Sequence, residues 1–137
     1  MNNKIRHLEF VQNIIVRMAK NSFSLKGWAV TLVSGLLMVG SVVGSNILVC
    51  LIVLLPIIVF WVLDSYYLLQ ERRYRALYNK IRDMDENQID FDLNANQAQF
   101  KNGNNFMRKC LFSKTELWFY LSLIMISASI ILLVYFT

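Results

Sequence analysis

Asp64 is the acidic residue whose position in the chain most invites chemistry. It closes an apolar run that starts at Ile47 and contains no polar side chain except Cys50. A membrane span takes about 20 residues, so Asp64 falls at the boundary of such a span and not at its centre. We read it as the single acid close to membrane depth. An ionisable group there marks an ion or proton path, or else a structural ion pair. Its candidate partners are Lys26 and Arg17, with headgroup solvation as the plainer alternative. The stretch Glu71-Arg72-Arg73-Tyr74-Arg75 follows within two helical turns. Arg72, Arg73 and Arg75 suit anionic lipid headgroups, each cation contributing about 1 kcal/mol near the surface. A phosphate-bearing ligand or a soluble partner is the sharper alternative.

Catalytic and metal-binding patterns are missing. There is no nucleophile elbow, Walker loop, HExxH or paired-carboxylate arrangement. The single histidine, His7, sits on an amphipathic segment without an acid partner in sequence, which suits a packing or surface role. Cys50 and Cys110 lie in an apolar run and a basic loop, so no disulfide or metal framework is expected. The expectation is a non-enzymatic protein with no catalytic residue, no metal and no cofactor.

The elements that place these residues follow from the distribution of apolar side chains. Of the 137 residues, 56% are hydrophobic, against about 45–50% in a soluble domain. They form long blocks, which is a membrane signature. Residues 3–22 lack an apolar signal core and a cleavage site, so the first block is expected to stay in the membrane. Ile5, Leu8, Val11, Ile15 and Met18 recur at helical spacing and predict an amphipathic helix over 1–26. Residues 27–69 predict a transmembrane helical hairpin turning near Asn46. Residues 70–116 predict a helical extension of the second span followed by a polar loop, irregular from about 83, with a short ordered piece around Phe91, Leu93 and Phe100. Residues 117–137 predict a third span. The fold class is thus an all-α membrane protein: three transmembrane helices, an amphipathic N-terminal cytoplasmic helix and a cytoplasmic extension of the second span.

Charge sets the orientation. All fourteen Lys and Arg fall within 4–26 and 72–114, leaving the turn near Asn46 and the stretch after Lys114 without cations. The positive-inside rule then puts the N-terminus in the cytoplasm and the C-terminus outside. The net charge of +5 reads as this bias plus attraction to anionic lipid, and not as nucleic-acid binding.

Small residues mark the first span. Gly27, Thr31, Ser34, Gly35, Ser41 and Ser45 fall largely on one face, and Gly40 and Gly44 make a GxxxG step. Such a face lets helix backbones approach closely in lipid. It serves packing within one chain or between subunits, and the two are evenly balanced. The candidate helix-packing residues are Thr31, Ser34, Gly35, Gly40, Ser41 and Gly44. Ser122, Ser127 and Ser129 of the third span either line a wet interface or bond their own helix backbone, the blander outcome. Pro56 lies mid-span and frees a carbonyl.

The run from His7 through Met18, the segment Asn21-Ser22-Phe23 with Lys26-Gly27-Trp28-Ala29-Val30-Thr31, the block from Phe60 to Arg72 and Phe112-Ser113-Lys114-Thr115 together resemble a family of small bacterial membrane proteins. The resemblance implies work beside soluble partners, including in anti-phage systems. It transfers no catalytic residue. It sharpens one expectation: Arg17, Lys26, Asp64, Tyr67 and Arg72 form a polar cluster at the inner boundary. The leading functional expectation is a homo-oligomeric membrane effector or scaffold. The alternatives are an anchor that recruits a soluble enzyme or sensor, and a small ion channel or transporter. Three spans cannot enclose a conduit alone, so any pore needs several subunits.

Overall fold

A computed structural model describes residues 2–44, 46–95 and 105–137. Among them the regular structure is entirely helical: α1 (Asn2–Val43), α2 (Ile47–Arg82), a 3-10 turn (Glu86–Gln88), α3 (Met107–Leu111) and α4 (Lys114–Phe136). Helices α1, α2 and α4 are each long and apolar enough to cross a membrane. Hydrocarbon offers no partner for an unpaired amide, so apolar runs of this length take the one conformation that satisfies their own backbone.

No break separates the amphipathic segment from the first span, and α1 runs unbroken from Asn2 to Val43. Nothing in that stretch breaks a helix, because it contains no proline and its first glycine is Gly27. At the far end, Gly44 has φ of +100° and so stops the helix in a conformation that glycine adopts without strain. Asn46 starts the next helix: its side-chain Oδ1 accepts the Val49 amide at 3.0 Å. Ser45, assigned in sequence to the small face, lies outside the described residues. Pro56 is held inside α2.

The chain forms two compact units. One takes in Met1–Ser22 and Ser65–Cys110, the other Phe23–Asp64 and Leu111–Thr137. The sequence reading drew its boundaries a few residues further on, at 26/27, 69/70 and 116/117. In the first unit, Val11 and Ile15 of α1 pack on Leu77 and Ile81 of α2, with Ala95 closing the core. These are the apolar positions of the amphipathic pattern. Glu86 Oε1 accepts the Asn3 amide at 3.1 Å, satisfying a free N–H in the first turn of α1. His7 is buried, and its Nε2–H donates to the Asp92 carbonyl at 2.8 Å. The Phe91 ring lies against both His7 and Phe10. Phe91 adopts φ of +54°, within two short turns in which Asp90 and Asp92 accept the amides two residues on. The ordered piece expected near Phe91 and Leu93 therefore folds onto α1. Phe100, and the loop from 96 to 104, lie outside the described residues.

In the second unit, Ala29 and Val33 of α1, Val53 and Ile57 of α2 and Tyr120 of α4 make the core. Much apolar surface points away from it: Met38, Val42, Leu55, Met125 and Leu133 are all exposed. An apolar exterior around a small filled core is what a lipid solvent requires.

Candidate functional site

The three helices of the second unit converge on one charged group. Lys26 of α1 puts Nζ 2.5 Å from Asp64 Oδ2 of α2 and 3.1 Å from Glu116 Oε1 of α4. Tyr120 sits one turn beyond Glu116 on the same face, and its hydroxyl donates to Asp64 Oδ2 at 2.9 Å and to the Phe60 carbonyl at 3.2 Å. Residues four apart on a helix are neighbours, so one turn of α4 supplies both groups. Ser113 caps α4 by accepting the Glu116 amide, which fixes where that turn begins.

Aromatic rings enclose the charges. Trp61 stacks on Tyr120 with centroids 6.0 Å apart and planes 10° from parallel. Its indole N–H donates to the Leu111 carbonyl at 3.0 Å. The Phe119 ring lies 5.8 Å from Lys26 Nζ, within cation–π reach. Asp64, Glu116 and Tyr120 are buried to within 1%. Side chains this buried need internal partners, because an unpaired charge away from water costs several kcal/mol.

No protein-family model, characterised protein or solved structure matches this chain.

Asp64 is therefore one of two acids at this depth. The sequence alone marks a single acid there and no paired carboxylates. That is corrected by Glu116, which shares the same ammonium. The pair is invisible in sequence because its members lie 52 positions apart. Of the residues expected to cluster, Lys26 and Asp64 meet directly. Arg17, Tyr67 and Arg72 belong to the other compact unit. There Arg17 is exposed, Tyr67 meets the Tyr66 ring edge-on, and Arg72 donates to Cys110 Sγ at 3.7 Å. Arg75 pairs with Glu71 at 2.8 Å along the helix, and Arg73 is half-buried beside them. Cys50 and Cys110 are not joined in a disulfide.

The small-residue face divides into different tasks. At Gly40 a Cβ atom would lie 2.8 Å from Val49 Cγ1, so this glycine lets α1 and α2 approach within the hairpin. Gly44 ends α1 and faces open space. Thr31, Ser34, Gly35 and Ser41 are exposed. Gly27 and Gly35 face open space. The Thr31 and Ser41 hydroxyls bond carbonyls of their own helix, as do those of Ser127 and Ser129. Ser34 and Ser122 instead line an apolar cleft of about 540 Å³ between α1 and α4, walled by Val30, Leu37, Trp118 and Ile126.

The charged group ties α1, α2 and α4 together. Lys26 Nζ already occupies the position between the two carboxylates that a bound cation would take. Among the described residues, no three His, Cys, Asp or Glu side chains converge as metal ligands would.

Proposed function

We propose that this chain is a non-enzymatic bacterial inner-membrane protein that works as a homo-oligomeric effector or scaffold. The carrying observation is the exposed strip of α1. Gly27 and Gly35 leave open space where a side chain would stand, and Thr31 between them bonds its own backbone. A smooth strip that its own chain leaves uncovered suits close approach of a helix from another copy, the association that lipid favours. The core between the three helices is filled by Val33, Val53, Ile57 and Tyr120, which argues that any conduit forms between chains and not within one. Positive-inside bias orients the N-terminus to the cytoplasm. A role in anti-phage defence rests on the resemblance described above.

The test is the mass of the protein in native nanodiscs. Wild type is expected at a multiple of 16.0 kDa, and Gly35→Leu at a lower multiple with unchanged helical content. A wild type that is strictly monomeric sinks the reading.

A second reading has its own support. The unit built on Val11, Ile15, Leu77 and Ile81 packs a core outside the apolar blocks, so it can present a folded surface to a soluble enzyme or sensor. Stoichiometric recovery of such a partner from native membranes favours this anchor. Ion leakage from cells expressing the chain alone favours the effector, and with it a channel-like action.

A further inference from the structure

Two cations belong to the second unit, Lys26 and Lys114. The first lies between the helices, among the acids and rings described above. The second starts α4, is exposed, and forms no ion pair among the described residues. Residues four apart share a helix face, so Lys114 stands one turn before Trp118 on the same side of α4. Trp118 and Thr115 belong to the end of the α1–α4 cleft nearest the start of α4. The apolar run of α4 begins at Leu117. An exposed cation just before it stands where hydrocarbon gives way to headgroups.

The cleft changes character along its length. Next to Lys114 come two more donors, the Thr115 hydroxyl and the Trp118 indole N–H. Ser122 follows about 10 Å further along α4, at 1.5 Å per residue, with Ser34 on the α1 wall. Beyond them Leu37, Ile126 and Ile130 give apolar walls. The volume, about 540 Å³, is that of a small-molecule site, mostly apolar with a few placed polar groups. The sequence of cation and donors, then hydroxyls, then hydrocarbon matches a glycerolipid taken from its phosphate through its ester carbonyls to its chain. We propose that this cleft binds one anionic phospholipid, with its phosphate against Lys114 and one acyl chain between α1 and α4.

Charge decides between a lipid and a second copy of the chain. The acids of this unit are Asp64 and Glu116, and both are buried. The same unit of another copy therefore brings no accessible carboxylate to Lys114, whereas a phospholipid brings a phosphate. The residues lining the cleft do not include Gly27, Thr31 or Gly35, so the strip assigned above to helix association is left clear. The bound lipid bridges α1 and α4 whatever the number of chains in the assembly. Any acyl chain suits the apolar walls, so selectivity resides in the cation at the mouth, about fivefold for one charge near the surface.

Native mass spectrometry of the full-length protein, released from nanodiscs of equimolar phosphatidylglycerol and phosphatidylcholine, tests this. Wild type is expected to retain one phosphatidylglycerol per chain, with about fivefold preference over phosphatidylcholine. Equal retention of the two lipids, or retention of neither, overturns the proposal without recourse to any variant. Lys114→Gln is expected to bring the preference to parity, and Lys114→Arg to keep it. Ser122→Phe, which fills the cleft from an exposed position, is expected to release either lipid with helical content unchanged. Lys20→Gln, at an exposed cation of the other unit, is expected to retain lipid as wild type does. A preference that survives Lys114→Gln or Ser122→Phe in folded protein places the lipid elsewhere and overturns the assignment. A lipid-free oligomer gives the cleft to a second copy and overturns it equally.

Discussion

Tyr120 is the neutral donor in a site otherwise made of ions. Its hydroxyl reaches Asp64 and the Phe60 carbonyl, and its ring stacks on Trp61. Tyr120→Phe keeps the ring and deletes the donor. We expect a loss of about 1–2 kcal/mol, the worth of a buried hydrogen bond to a charged acceptor in a membrane protein. Lys26→Met is harsher, since it removes the ammonium that Asp64 and Glu116 share, a defect of about 3–5 kcal/mol. Thermal unfolding in matched detergent checks both, and equal melting points for the two variants would contradict this ordering. Part of this site was legible in sequence. Depth counting puts Asp64 at a span boundary, with Lys26 and Arg17 both open as its partners. Glu116 escaped that count, since it precedes its own apolar run and reads as an acid of a helix's first turn. In sequence, Tyr120 sits with Trp118 and Phe119 as a ring of an interfacial aromatic belt. Of these, Trp118 is exposed and Tyr120 is buried. The difference depends on which face of α4 meets α2, and the nearly uniform apolarity of α4 conceals that face.

The glycines of α1 show how one element assigns different work to one residue type. Gly40→Ala pushes a methyl against Val49, 2.8 Å from its Cγ1. A β-branched side chain cannot swing far to admit it, so we expect a loss of about 1–3 kcal/mol from overpacking. Gly35→Ala meets open space and gains helix propensity, so the fold is expected to be neutral or slightly firmer. Denaturation of the two variants in detergent separates these outcomes. A greater loss for Gly35→Ala would reverse the assignment. Hydrophobic blocks made the long helices readable, because length and apolarity alone decide what crosses hydrocarbon. Short elements were less so. Helix α3 has five residues and offers no periodicity to count. The left-handed Phe91 is held by tertiary contacts with His7 and Phe10, which no local pattern announces.

For the molecule as a whole, the distribution of cations makes a firm statement about threading. An epitope on Thr137 is expected to be reachable from outside intact cells, and one on the polar loop near Gly103 only after permeabilisation. Labelling in the opposite sense would invert the topology and every depth inferred from it. The sequence divides into four segments, at 26/27, 69/70 and 116/117, where spacing changes between amphipathic and uniformly apolar; their grouping into two compact units is a finding of the structure. The exact edges of those units are not legible in sequence, because helices α1 and α2 continue through them with no break in propensity. The three tryptophans stand in different surroundings. Trp28 and Trp118 lie on the apolar exterior, while Trp61 is half-buried on the Tyr120 ring. Replacing the first two with phenylalanine leaves a single intrinsic fluorophore beside the ionic group. The chain thereby contains its own optical gauge of that locus, readable in vesicles without any attached dye.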